Sequence, residues 1–441
     1  MKLHNMFLPL LFAISVPLTT YSQSSGVLQD AIRDRSARME WWREAKFGMF
    51  IHWGPVSMTG KEISWSRGGP RPGVRNTGTG ETPEKVYDNL YKKFDPVRFN
   101  AAEWVSIAEA AGMRYMVLTA KHHDGFCLWH SKVDSYNIGK SPFKRDICGE
   151  LASAAHRAGM RIGWYFSPPD WHDPYCRTDS NEVYVRRMQT ELTELLSDYG
   201  RIDILWFDTE GGPSPWDQKD TYRIVRSLQP GIVVNNRLDF DTDGVHNLAT
   251  DVGPDADYAT PEQRIGLFNS RVAWETCMTI GTQWSWKPHD HLKTPAECIS
   301  ALVECVSGDG NLLLDVGPMP DGRIAPRDVR ILKSIGSWLR KYGESIFDTR
   351  GGPFRNGVWG GSTYRGDIVY LHILKWKGDS VILPAIKANI ISWSALTGGH
   401  ASLRETSDGI VISVPRGAQK SVDTIIKLKL NRPAKELGII G

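Results

Sequence analysis

The sequence predicts an α/β fold: a TIM-like (β/α) barrel of irregular strand count, followed by a small antiparallel β-sandwich. Three observations point there. Short apolar runs alternate with helical patterns as far as residue 345, the order of a parallel sheet with covering helices. Those runs are continuously apolar or β-branched, as strands buried on both faces must be. After Gly343 the helical patterns stop, and turn residues separate short strand-like runs.

The barrel strand candidates are Phe47–Trp53, Tyr115–Ala120, Arg161–Ser167, Ile202–Asp208, Ile232–Asn236 and Asn311–Val316. The helices between them carry end signals. Asn100 to Gly112 has a capping Asn, an Ala-rich body and a closing Gly, and Asp146 to Gly159 repeats that plan. Asn181 to Gly200 is longer, Thr294 to Ser307 opens on a Thr-Pro cap, and Pro326 to Tyr342 is the last helix. Eight clean strands cannot be counted, so the barrel is expected to be irregular. The sandwich strands are Ile368–Ile373, Val381–Pro384, Ile390–Trp393, Ile410–Val414 and Thr424–Leu430. This divides the chain into a barrel over 23–345 and a sandwich over 346–441.

Residues 1–22 read as a signal peptide. Lys2 and His4 precede the apolar run Met6 to Pro17, and small residues follow near Ser22. Export to the periplasm or the medium is expected. The run is too short to span a bilayer, and no later stretch has the length for it. A net charge of +3 over 441 residues argues against a nucleic-acid partner. The six Cys show no C-x-x-C pair and read mostly as small buried hydrophobes. Seventeen Trp and fourteen Tyr suit either sugar-ring faces or a bulky core.

Active sites of parallel barrels lie at the C-terminal ends of the strands. Five strand candidates end in His52-Trp53, Lys121-His122-His123-Asp124, Tyr165-Phe166-Ser167, Trp206-Phe207-Asp208 and Asn235-Asn236-Arg237. Together they can hydrogen-bond hydroxyls, stack on a ring and hold one ionised acid. A lone His after a strand is more often a capping residue, and Trp41, Trp42 and Trp171 read as packing. The His-His-Asp run lacks zinc-site spacing, so no metal or cofactor is expected. Asp208, directly after Ile-Leu-Trp-Phe, is costly to bury without partners or a task. Glycoside hydrolysis needs a second carboxyl group across the scissile bond. Glu210, Asp251, Asp255, Asp257, Glu262 and Glu275 are the candidates.

Five segments then resemble the α-L-fucosidases of glycoside hydrolase family 29. They are WWREAKFGMFIHWGPVS from Trp41, the stretch ending TAKHHDGF at Phe126, DILWFD ending at Asp208, WETCMTI from Trp274 and NLLLDVGPMPDG from Asn311. The likeness runs from about Gln29 to Arg350, and the sandwich fits the same architecture. It implies Asp208 as nucleophile, His52, His122, His123, Tyr165 and Arg237 as holders of fucose hydroxyls, and Trp65 as a pocket wall. Trp206 is placed on the wall by its strand. Two departures stand out. Ser64 occupies the place of a common Glu before Trp65, with Glu62 nearby but out of register. Asp315 stands where Asn is usual, a difference expected to be structural.

The expected reaction is removal of terminal L-fucose from a fucosylated oligosaccharide or glycan by retaining double displacement. Glu262 is the expected acid/base, because Gly253, Pro254 and Pro261 place it on a loop that can reach the rim. Glu275 is the runner-up, or else orients Arg237 or Tyr165. An α-L-galactosidase and a non-catalytic carbohydrate-binding protein are the alternatives.

Overall fold

The computed structural model describes residues 34–72, 80–209, 215–239, 252–407 and 409–441. The expected signal peptide, Glu210 and Asp251 lie outside these residues.

Seven parallel strands form one sheet. They are β1 (Phe47–Ile51), β2 (Tyr115–Lys121), β3 (Arg161–Phe166), β4 (Ile204–Phe207), β5 (Val233–Val234), β6 (Glu275–Thr279) and β7 (Asn311–Val316). Their order is β5-β4-β3-β2-β1-β7-β6. Every residue of β1, β2, β4 and β7 is buried, as their apolar sequences require. The gap between β5 and β6 is bridged by residues 258–262. Tyr258 pairs with Asn235, Ala259 with Trp274 and Glu262 with Cys277, all parallel. This stretch acts as an eighth stave and closes the barrel. Pro261 fits there because it only has to accept, from the Cys277 N–H at 3.2 Å.

The capping signals act as read. Asn100 accepts from Glu103 N–H, Asp146 from Gly149 N–H, and Thr294 forms a reciprocal capping box with Glu297. A further helix, Gln218–Leu228, was not expected, since its sequence is polar on most faces. At the N-terminal end of the barrel, Gly48 makes room for an inward ring. A Cβ there would lie 2.3 Å from Tyr115. Trp41 packs edge-on against Tyr115 at 6.3 Å and Trp42 against Tyr258 at 4.6 Å, so both seal this end.

The last barrel helix is Pro326–Tyr342, and the next strand, β8 (Arg350–Gly351), opens an antiparallel layer. It continues through β9 (Gly360–Arg365), β10 (Ile368–Ile373), β11 (Ser380–Leu383), β12 (Ile390–Ala395), β13 (Ser402–Thr406), β14 (Gly409–Ser413) and β15 (Thr424–Leu430). One sheet runs β12-β15-β10-β9-β8 and the other β11-β14-β13. Val369, Leu371, Ile410, Ile412, Ile426 and Leu428 fill the core between them. Glycines in β9 and charges in β13 hid those two strands from pattern reading. All six Cys are free and buried. No helix among the described residues is long and apolar enough to cross a membrane.

Candidate active site

The C-terminal ends of the staves converge on a pocket of about 150 Å³. His52, Trp65, His122, Tyr165, Trp206, Asp208, Arg237 and Glu262, all expected from sequence, line it. Phe50, Cys277 and Trp284 line it too and were not foreseen. His123 enters through Asp208: its Nε2 lies 3.5 Å from Asp208 Oδ2.

Asp208 follows β4, and its side chain is only 11 % exposed. Both oxygens are engaged. Oδ2 accepts from the Tyr165 hydroxyl at 2.6 Å, and Oδ1 from Arg237 Nη1 at 2.6 Å. A carboxylate this buried needs such partners to persist. Arg237 lies at the end of β5 with its guanidinium 4.5 Å from the Trp206 ring. Its Nε donates to Thr260 Oγ1 at 3.0 Å, and its Nη2 donates to Glu262 Oε2 at 2.6 Å. One planar guanidinium therefore bridges Asp208 and Glu262. The two carboxylates raise the Arg237 pKa well above its ordinary value against the cost of burial.

The three histidines are buried, and burial is the first cause of their lowered pKa values. His52 falls to about 4; His122 and His123 fall well below the usual imidazole range. They are neutral at pH 7, so the tautomer decides what each offers. Ser167 donates its only hydroxyl proton to Pro169 O, at 2.5 Å. His123 Nδ1, 2.7 Å from Ser167 Oγ, must then donate to that hydroxyl oxygen, which leaves Nε2 beside Asp208 as an acceptor for a hydroxyl donor. His122 Nδ1 lies 2.6 Å from Ser64 Oγ, which also accepts from Asp124 N–H at 2.9 Å. His122 stacks on Tyr165 at 5.1 Å with 2° between the planes. His52 Nδ1 is 2.7 Å from Asp315 Oδ1, and burial pushes the Asp315 carboxyl well up. The unusual Asp315 thus orients His52.

Ser64 and Glu62 acquire roles that spacing did not reveal. Ser64 turns to His122. Glu62 accepts backbone N–H groups from Trp284 at 2.9 Å and Ser285 at 3.2 Å, and so seats the Trp284 ring 4.7 Å from His52. Trp65 meets His123 at 5.8 Å and Trp171 at 5.2 Å, with the Arg71 guanidinium 5.2 and 5.0 Å from the two indoles. Trp171 therefore packs as expected, but at the pocket rim.

Two expectations about the second acid change. Glu262 is not on a free loop; it ends the eighth stave, with the adjoining Gln263 N–H bonded to Cys277 O at 2.9 Å. Glu275 begins β6, at the opposite end of the barrel from Asp208. It is fully buried and accepts from the Tyr115 hydroxyl. The Tyr165 hydroxyl and the Arg237 guanidinium bond Asp208 instead. Asp257 is held by Arg38 and Arg226, and so is structural as well.

Burial raises the Glu275 pKa to about 7, and its hydrogen bonds offset only part of that. A raised folded pKa favours the protonated fold, so this stabilisation is full below the unfolded value near 4.3 and declines as pH rises through 7. Glu275→Gln should flatten the fall in thermal midpoint between pH 4.5 and 7.5 without changing leaving-group dependence. An unchanged pH slope would show that Glu275 does not titrate there.

His122, His123 and Asp208 bring donor atoms within 4.8 Å of one another. Their geometry could admit a metal ion, but Arg237 and Tyr165 already take both Asp208 oxygens. The Arg237 charge would also repel a second cation. The donor set suits hydroxyl groups better.

A family model described as alpha-L-fucosidase matches residues 19–344. The chain belongs to the α-L-fucosidase family. It is 33 % identical over 411 residues to human plasma alpha-L-fucosidase, with 85 % of each chain covered. Human tissue alpha-L-fucosidase is 29 % identical over 417 residues, again with 85 % of each covered. Among solved structures, alpha-L-fucosidase isoenzyme 1 from Paenibacillus thiaminolyticus matches with a TM-score of 0.79 at 30 % identity, covering 90 % of this chain and 100 % of that one. A Bacteroides thetaiotaomicron α-L-fucosidase matches at 0.75 and 27 % identity, covering 90 % and 96 %. That structure holds a trapped covalent intermediate with 2-fluoro-fucosyl fluoride. Membership makes this protein a glycoside hydrolase with the barrel-plus-sandwich fold of its relatives.

Proposed function

We propose that this family member is an exported exo-acting enzyme that hydrolyses terminal α-L-fucosides with retention, through a glycosyl ester on Asp208. The observation that carries the reading is the Arg237 bridge between Asp208 and Glu262. One guanidinium separates the two acids, on the scale of the roughly 5–5.5 Å between carboxyl groups of retaining enzymes. A water-spanning inverting pair would sit further apart.

Glu262 takes up a proton from solvent before the first step; Asp208 then attacks the anomeric carbon while Glu262 gives that proton to the departing glycosidic oxygen. The Asp208 charge is consumed in the ester, which leaves Glu262 as the only carboxylate on Arg237 during the second step. Glu262 then takes a proton from the water that cleaves the ester. The His123 acceptor beside Asp208 receives a sugar hydroxyl, and His52 and His122 hold the others. The small pocket admits one ring, which makes the action exo. Phe50, Trp206 and Trp284 form an apolar wall for the C6 methyl group. The fucose sits on a fucosylated oligosaccharide or glycan, and residues 1–22 direct export.

Aryl α-L-fucoside and aryl α-L-galactoside, which differ by one hydroxyl, test the sugar. The fucoside should be preferred about 10–100-fold in kcat/KM, the range an apolar wall can give against an added hydroxyl. Preference for the galactoside would reassign the substrate. Tight fucose binding with no turnover of either would make the protein a carbohydrate-binding member of the family.

A further inference from the structure

We propose that the N-terminal end of the barrel carries a second site, for a tetrahedral oxyanion such as phosphate or sulfate, built by Arg43, Lys46 and Arg350. The topology brings the three together. Lys46 immediately precedes β1, Asp309 precedes β7, and Leu312 N–H donates to Lys46 O at 2.9 Å. Arg350 arrives as the first residue of the sandwich.

Asp309 is the buried counter-charge at this junction, and Arg350 already uses it. Arg350 grips it through Nε at 2.8 Å and through Nη2, and Gly351 N–H donates at 2.9 Å. Two cations are left over. Lys46 is 1 % exposed and lies within electrostatic range of Arg43, Arg350 and Asp309. Burial, with repulsion from Arg350 and Arg43, lowers its pKa to about 8 despite the pull of Asp309 and of the exposed Asp348. Arg43 Nη1 is buried without an acceptor. A place in the last turn of helix 34–45 suits a cation, but it supplies that nitrogen with no partner.

Buried donors without acceptors are costly, and charged ones more so. Arg43 and Arg350 open onto a groove of about 830 Å³. Its own carboxylates do not supply the need: Glu40 faces solvent, and Asp257 is held by Arg38 and Arg226. A tetrahedral oxyanion offers several acceptor oxygens to the guanidinium groups of Arg43 and Arg350, with the buried Lys46 charge adding to the positive field behind them. The strands are parallel, so this site lies at the end of the barrel opposite Asp208, and its occupant would brace the sandwich against the barrel.

The test is thermal unfolding of the full chain against sodium phosphate or sulfate, with ionic strength fixed by sodium chloride. The midpoint should rise saturably, by about 3–6 °C at a hundredfold excess over Kd. Arg43→Gln should weaken the response at least tenfold while leaving aryl fucoside hydrolysis unchanged, and Lys46→Met should do the same. Sulfated and unsulfated oligosaccharides at equal concentration separate a free anion from a sulfate ester as the natural ligand. No saturable shift with either anion, or an undiminished shift in Arg43→Gln, would overturn the site.

Discussion

Asp208→Asn should lower kcat on an aryl α-L-fucoside by about 10⁴-fold or more while the protein stays folded. The carboxamide keeps the volume and can still accept from Tyr165 and Arg237, but it cannot form the ester. Asp208→Gly should be equally slow, with one difference. It opens a space beside the anomeric carbon that a small anion can enter, next to the positive Arg237. Azide should therefore restore part of the turnover and yield fucosyl azide of the opposite anomeric configuration. If Asp208→Asn kept more than a few per cent of activity, the nucleophile would have to be sought elsewhere.

The second large effect belongs to Glu262, and its signature is selectivity. Glu262→Ala should cost about 10²–10⁴-fold in kcat/KM on a natural disaccharide, whose leaving alkoxide needs a proton. On an aryl fucoside with an acidic phenol the loss in that first step should be far smaller. The ester then accumulates because its hydrolysis lacks a base, so the aryl substrate should show a burst followed by a slow steady state. Azide should speed that phase. A uniform loss on both substrates without a burst would reduce Glu262 to a partner that holds Arg237 in place.

Much of the pocket was legible because a barrel strand writes its own end. An apolar run followed by a polar residue marks the C-terminal rim, and His52, His122, Tyr165, Asp208 and Arg237 were all found that way. The reading failed where a stave lacks an apolar run. Residues 258–262 pair through single bridges and include a proline, so no strand pattern shows and Glu262 looked like a loop residue. The same blindness misplaced Glu275. Polar Glu275, Thr276 and Thr279 masked β6, and without its direction the start of the strand could not be told from its end. Trp284 left no local signal either, because Glu62, 222 residues earlier, seats it.

Ser64 is a more informative miss. Its position was read through a family pattern, as a departure from a common Glu. In the fold its hydroxyl joins His122 Nδ1 to the Asp124 backbone, and so helps fix which proton His122 presents. The sequence holds those residues 58 and 60 positions apart. Only the closure of β1 against β2 brings them within hydrogen-bond reach.

Incubation with 2-fluoro-fucosyl fluoride tests the central claim most directly. Fluorine at C2 slows both steps, while the fluoride leaving group lets the first proceed, so the ester should persist. Intact mass should rise by one 2-deoxy-2-fluorofucosyl unit, and peptide mapping should place it on Asp208, with no label in Asp208→Asn. A label on another residue, or steady release of fluoride with no adduct on an active protein, would contradict the covalent account.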